Sequence, residues 1–343
     1  MNSIKKSKLS ERRWIPDGFH FLGPEESRNR AQLLLSLKQC FEVADYAEIN
    51  LPAFDYTSSF QSQIRGLDSS AFLIAKDYDG YSLSPGVDLT LQVVKGMAGR
   101  SHWEENQKVY YIGRKIRDHK KRNASRREIL QIGGECIGDS SPANVVEQVG
   151  ILERMWQKSL PNQKATFVLG HAGLIGLIFE SLELGSEGET NLAQLLYTKN
   201  VPELMNFVIK KKLNPDSISL LKLTLKPLHF DRFLDFKNAI LLLGKKFQDN
   251  TLFLRYLAEI EEFLSIWKNA GIGFEGYWDP SLIRDLDYYS GLVFQGFMEG
   301  YSEPVFAGGV YNSLYETYAE IKKDACGFAL HIDPIEEKIY SKK

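Results

Sequence analysis

Apolar residues at Leu33, Leu34, Leu37, Cys40, Phe41 and Val43 recur at helical spacing, which predicts a helix over 24–44 with one buried face. Pro24, Glu25 and Glu26 suit its first turn, since proline fits there and carboxylates complement the positive end of the dipole. The period then shortens. Ala47, Ile49, Leu51 and Phe54 predict an extended segment ending in a loop near Ser58 and Ser59, and Ala71–Ala75 reads as a second, buried strand. Asp79-Gly80 marks a hairpin turn, and 88–97 reads as a helix ending near Gly96 and Gly99. Val109–Gly113 opens a strand running toward Ile116. A second strand follows over 128–137, where Ile129, Gln131, Gly133 and Glu135 share one face. The polar stretch between these two strands closes a long hairpin.

From Pro142 to about Ala270 helical patterns dominate, at 142–158, 171–183, 201–211, 233–243 and 249–269, with one strand at Ala165–Leu169. This span reads as a helical insertion. Extended segments return at Gly273–Trp278, Tyr288–Phe297 and Gly327–Ile332, with a helix expected over Tyr311–Ile321. Strands clustered in hairpins, rather than alternating with helices, predict an α+β fold: a mainly antiparallel sheet flanked by helices.

Composition narrows the class. Forty-two Lys and Arg against 44 Asp and Glu leave a formal charge of −2, so any anion site is local and the chain is no general nucleic-acid or membrane binder. Hydrophobic residues at 43% and charged residues at 25% fit a globular protein, and the longest apolar run, Ala172–Phe179, is too short to span a bilayer. The N-terminal residues 1–14 are basic, but Pro16, Asp17 and Gly18 follow where a signal peptide needs apolar residues. A cytoplasmic protein with a solvated tail is expected. Cys40, Cys136 and Cys326 are too far apart for a disulfide framework or zinc knuckle and read as small buried hydrophobes.

Four stretches could carry chemistry. In 114–127 eight of fourteen residues are Lys or Arg, which fits a phosphate or acidic-partner patch and equally a solvated loop. Gln131 and Glu135 point the same way; buried, that carboxylate needs a partner, and exposed it needs none. Arg284-Asp285-Leu286-Asp287-Tyr288-Tyr289 places polar groups at a strand entrance, where they could read a small polar ligand or simply pair with each other. Gly308-Gly309 permits close backbone approach and lacks the lysine and further glycines of a phosphate loop. No H-x-x-x-H pair suggests a metal site, and His171 reads as a helix cap or interface residue.

In order along the chain, several segments resemble the catalytic core of histidyl-tRNA synthetases, a class II synthetase fold. They are Pro16-Asp17-Gly18 with Pro24-Glu25-Glu26; Tyr110-Tyr111-Ile112-Gly113 and Gln131-Ile132-Gly133-Gly134-Glu135 flanking Arg117; Arg284-x-Leu286-Asp287-Tyr288-Tyr289-x-Gly291; Gly308-Gly309-x-Tyr311; and Gly327-Phe328-Ala329. The resemblance covers about 15–335, with tails at 1–14 and 336–343 and the helical insertion at about 142–270. It implies a histidine pocket in which Arg117 meets the carboxylate with Arg284 nearby. Asp88 and Thr90 would hold the ammonium, Gln131 the amino-acid backbone, and Glu135 and Tyr289 the imidazole, with Tyr288 a further histidine-binding residue. The stretch before Asp88 departs from the family, lacking an arginine before Pro85.

The nucleotide side departs further. His119 stands where the synthetases carry the acid that reads adenine, Asp333-Pro334 replaces a glutamate-arginine pair, and Val310 and Asn312 replace an arginine and an aspartate. Nine residues after Pro334 leave no room for an anticodon-binding domain. A synthetase-like core of this kind resembles the regulatory subunits of ATP phosphoribosyltransferase. The resemblance implies a non-catalytic protein, with no cofactor or metal, that activates a short-form catalytic subunit and mediates histidine feedback inhibition in histidine biosynthesis. It further implies a homodimer, paired near 24–60, within a hetero-oligomer. A divergent synthetase paralogue that activates an amino acid or modifies tRNA or protein is the alternative.

Overall fold

The computed structural model describes residues 15–61, 72–100, 106–118, 126–282 and 288–340. Among them are strands β1 (Ala47–Glu48), β2 (Phe54–Tyr56), β3 (Ala75–Lys76), β4 (Ser82–Pro85), β5 (Gln107–Ile116) and β6 (Glu128–Ile137). After these come β7 (Ala165–His171), β8 (Leu228–His229), β9 (Glu275–Trp278), β10 (Leu292–Met298), β11 (Phe306–Val310) and β12 (Ala325–His331). The larger sheet has nine strands in the order β1-β5-β6-β12-β11-β10-β7-β9-β8, parallel only at β1–β5 and β7–β9. A small antiparallel sheet, β2-β4-β3, stands apart. The architecture is the mainly antiparallel α+β arrangement that the hairpin pattern predicts.

Helix Pro24–Glu42 buries Leu33, Leu37, Cys40 and Phe41 of the face expected from spacing, whereas Leu34 is half-buried and Val43, just past the helix end, is exposed. Phe41 stacks on Tyr110 of β5 at 4.8 Å and on Phe328 of β12 at 5.6 Å, seating the helix across the sheet centre. On a second side, helix Leu89–Ala98 is started by Asp88, whose Oδ1 accepts from the Leu91 amide at 3.1 Å. Its buried Leu89, Leu91 and Val94 join Val109, Tyr111, Tyr288 and Tyr311 in a core distinct from the main one.

Several expectations change. The strand expected at 71–75 shrinks to β3, with Ile74 about half exposed and Ala71 outside the described residues. The helix expected over Tyr311–Ile321 is only a 3₁₀ turn, Tyr315–Thr317. Asn312 explains this: its amide donates to Ser290 Oγ at 3.0 Å and its side-chain oxygen accepts from the Ala325 amide at 3.0 Å, so tertiary polar bonds override the helical propensity. The helical span is not a simple insertion, since β7 lies inside the large sheet between β10 and β9. It also holds helices Gly185–Tyr197 and Pro215–Thr224, which the pattern did not reveal. The expected tail from 336 is instead the later part of helix Ile332–Tyr340, anchored by fully buried Ile335. Residues 1–14 and 119–125 lie outside the described residues. All three cysteines are free and buried.

Candidate functional site

Strand pleating and register build the site. Gln131, Gly133 and Glu135 lie on one face of β6; β5 places Gly113, Tyr111 and Val109 opposite them, and β12 places His331, Ala329 and Gly327. Glycine and alanine fill four of these nine positions, so the polar side chains rise from a low floor. Gly327 is required here, because a Cβ at that position would fall 1.5 Å from Glu135 Oε2. Gly308 plays the packing role: its Cβ would meet the Gly327 carbonyl at 2.3 Å.

Glu135 has no exposed surface. Thr90 Oγ1 donates to its Oε1 at 2.8 Å and the Tyr311 hydroxyl donates to its Oε2 at 2.5 Å. Burial pushes the carboxyl up to about 8, and the nearby Asp88 charge pushes the same way. The hydroxyls of Tyr311, Thr90 and Tyr111 pull it down, less strongly. Burial beside Glu135 raises the Tyr311 and Tyr111 phenols well above their usual range, so both stay neutral donors.

Asp88 caps helix Leu89–Ala98 and places Thr90 one residue into it. The Tyr288 hydroxyl donates to Asp88 at 3.4 Å, and Arg117 Nη2 stands 3.9 Å from Asp88 Oδ2. Arg117 is buried and oriented by its Nε, which donates to the Val87 carbonyl at 2.9 Å. The Tyr288 ring lies 4.8 Å from Tyr289 and 5.9 Å, nearly perpendicular, from Tyr311. Asp88, Thr90, Arg117, Glu135, Tyr288 and Tyr289 are thus brought together, and Gln131 is buried on the same sheet face. Arg284 lies outside the described residues. Tyr311 and Tyr111, the further hydroxyl partners of Glu135, were missed as site residues; the signal for Tyr311 was its place after the glycine pair.

The arrangement offers a guanidinium, a carboxylate at a helix start, and a buried carboxyl ringed by hydroxyls. That set can recognise the two charged ends of an amino acid and a ring N–H.

The region where the synthetase resemblance implies the nucleotide side is organised differently. Asp333 is almost wholly buried, its Oδ1 accepting from Arg126 Nη1 at 2.8 Å and Arg30 Nη2 at 3.0 Å, its Oδ2 from the Leu130 amide at 2.9 Å. Arg30 also pairs with Glu336, and Arg126 with Glu337. Pro334 sits in the first turn of its helix, where its missing N–H costs nothing. Val310 is buried, with Gly291 packed against it.

His171 is a cap: its Nδ1 accepts from the Leu174 amide at 3.0 Å, which leaves the proton on Nε2, 3.1 Å from Glu259. Burial lowers its pKa, and Glu259 partly offsets this. No helix among the described residues is long and apolar enough to cross a membrane.

Comparison with known proteins identifies the family. The family described as histidyl-tRNA synthetase matches residues 18–335. An ATP phosphoribosyltransferase regulatory subunit of Leptospira interrogans serovar copenhageni is 39% identical over 332 residues, covering 96% of this chain and 95% of that protein. One from Caldanaerobacter subterraneus subsp. tengcongensis is 26% identical over 327 residues, 94% of this chain and 82% of that one. A solved Bacillus halodurans structure, titled an ATP phosphoribosyltransferase regulatory subunit/histidyl-tRNA synthetase, superposes with a TM-score of 0.82 at 19% identity, over 95% of this chain and 83% of that one. The chain belongs to the family of ATP phosphoribosyltransferase regulatory subunits, built on a histidyl-tRNA synthetase core.

Proposed function

We propose that this chain assembles with a short-form ATP phosphoribosyltransferase catalytic subunit, activates it, and makes it sensitive to histidine, while the chemistry stays in that partner. Histidine occupies the sheet-face site. Arg117 takes the carboxylate, with Arg284 of the Arg-x-Leu-Asp-Tyr-Tyr segment nearby; Asp88 and the Thr90 hydroxyl take the ammonium; Gln131 bonds the amino-acid backbone; Glu135 and Tyr289 read the imidazole, with Tyr288 holding Asp88. Two copies pair through the region around 24–60, where Phe54 and Tyr56 are exposed. The assembly acts in the cytoplasm.

The observation that carries this reading is the contrast between a buried Glu135 partnered by hydroxyls and an Asp333 already occupied by Arg30 and Arg126. The first is receptive to a ligand. The second leaves its arginines committed to protein carboxylates rather than to a triphosphate, which disfavours adenylate chemistry.

The test mixes the full chain with a short-form catalytic subunit and follows phosphoribosyl-ATP formation. Addition of the chain should raise the rate, and histidine should suppress it. Glu135→Gln should keep activation and weaken the histidine response by roughly tenfold or more, the effect of turning one carboxyl oxygen that faces the ligand N–H into an N–H donor. An unchanged rate without co-elution overturns the reading. Histidine-dependent ATP–pyrophosphate exchange by the chain alone would favour an amino-acid-activating enzyme.

A further inference from the structure

The charges on the sheet-face site do not balance. Asp88 accepts from the Leu91 amide and the Tyr288 hydroxyl, and Arg117 Nη2 stands 3.9 Å from it. Among the described residues Glu135 has no such cation. Helix Leu89–Ala98 presents Thr90 to it, β5 presents Tyr111, and the turn after β11 presents Tyr311; all three are hydroxyl donors, and the nearby charge, Asp88, has the same sign as its own. The entrance to β10 adds the phenol of Tyr288 against Tyr311, with Tyr289 beside it. From β12 Glu135 meets Gly327, whose neighbour Cys326 is a thiol that burial keeps protonated; His331 stands further along that strand, opposite Gln131. Segment 283–287 contributes Arg284, Asp285 and Asp287, which add no net positive charge.

A carboxylate has about four lone-pair positions. Thr90, Tyr311 and Tyr111 occupy three of those on Glu135, which leaves one for a donor from outside. Bulk water does not reach it, since Glu135 has no exposed surface. An amino acid seated by Arg117 and Asp88 brings a carboxylate and an ammonium that match those two charges. Glu135 is then a lone charge in a dry site, which is costly unless a cation faces it. The ligand's side chain is the group left to supply that cation.

We infer that the site takes histidine with both ring nitrogens protonated, an imidazolium opposite an ionised Glu135, so that ring basicity as well as shape selects the ligand. The inference rests on the function proposed above and specifies the chemical form of its ligand. Before histidine binds, burial keeps the Glu135 carboxyl protonated up to about pH 8. On binding at neutral pH its O–H bond breaks, the proton moves to the lone-pair nitrogen of the neutral ring, and the new N–H donates back to the oxygen it left. No proton enters or leaves the solution. Above about pH 8 the carboxyl has already lost that proton, and binding must take one from water.

Nitrogen NMR of ring-labelled histidine bound to the full chain, alone and with the short-form catalytic subunit, reads the proton directly. Two protonated ring nitrogens are expected; one nitrogen with a free lone pair overturns the inference. Titration calorimetry gives a second reading. The triazole analogue of histidine, which keeps the ring's shape and N–H but is scarcely basic, should bind wild type at least about tenfold more weakly than histidine at neutral pH, the difference between a charge-assisted and a neutral hydrogen bond. Glu135→Gln should bind the two about equally. The histidine affinity of wild type relative to Glu135→Gln, a ratio in which titration of the ligand ammonium cancels, should stay level from about pH 6.5 to 8 and shrink about tenfold per pH unit above that. A ratio that instead climbs up to about pH 8 and stays high means that Glu135 gives its proton to solvent and reads a neutral ring. That result, or equal affinity of wild type for histidine and the triazole, sinks the inference and leaves the proposed function standing. If histidine binds neither the chain nor its complex, the proposed function falls and takes the inference with it.

Discussion

Glu135 on β6 and Asp333 in the first turn of helix Ile332–Tyr340 are two acids buried to a similar degree, at 0% and 4% exposure, and their surroundings are opposite. Asp333 is gripped by two guanidiniums and a backbone amide. Glu135 is met by hydroxyls. A buried carboxylate whose charge is already matched acts as a fastener, here tying helix Pro24–Glu42, the loop end of the β5–β6 hairpin and helix Ile332–Tyr340 together. One supported only by neutral donors keeps its affinity for a cation or an N–H from outside. The same fold therefore shows a closed acid and a receptive acid side by side, and the difference lies in which arginines the neighbouring elements supply.

Removing the fastener should have the larger effect. Asp333→Ala strands Arg126, Arg30 and the Leu130 amide, and a broken buried pair typically costs about 3–5 kcal/mol. The low end applies, since Arg30 and Arg126 keep Glu336 and Glu337. Urea unfolding should show a loss of about 3 kcal/mol, whereas Glu135→Gln, which keeps the shape and the hydroxyl contacts, should cost about 1 kcal/mol or less. Equal losses would erase the distinction between the two acids. Gly327→Ala comes next. Its methyl cannot coexist with Glu135 in place, so the strand or the carboxylate must shift, at about 1–3 kcal/mol, with loss of the histidine response.

Protonation sharpens the same contrast. The folded carboxyl of Glu135 titrates at about 8, above its usual value of 4.5, so between those limits the folded state binds more protons than the unfolded one. Its stabilising contribution is complete below about pH 4.5 and is lost as pH rises through 8. Across pH 5 to 8 this group lowers stability by up to about 1.4 kcal/mol per pH unit. Melting curves of wild type should fall over that range more steeply than those of Glu135→Gln. Parallel curves would mean that Glu135 is charged in the fold throughout.

The legible parts of this molecule are those with local periodicity. Helix Pro24–Glu42 and the β5–β6 hairpin follow from spacing alone, because their buried faces repeat within one element. The partners of Glu135 do not. Gly327 and Tyr311 reach it only because β6, β12 and β11 align Glu135, Gly327 and Gly309 across three strands, a register no local pattern encodes. The failure at Tyr311–Ile321 has the same origin: Asn312 bonds to Ser290 and Ala325, distant in sequence, and these contacts override a locally helical pattern. Asp88, Arg117 and Tyr289 were found through the synthetase-like motifs rather than from periodicity, since each belongs to a different element and they meet only in the folded chain.

A third acid falls between the other two and gives an effect well below that of Asp333. Asp279 is nearly buried, yet its only lysine, among the described contacts, is the half-exposed Lys199, and its other oxygen accepts from the Ser281 amide and hydroxyl. Water screens the lysine end of that pair, so its worth resembles a surface bridge more than a buried one. Lys199→Ala should therefore cost only about 1 kcal/mol in urea unfolding, well short of Asp333→Ala. A loss as large as that of Asp333→Ala would show that burial of the acid alone, rather than burial of both partners, sets the strength of these pairs.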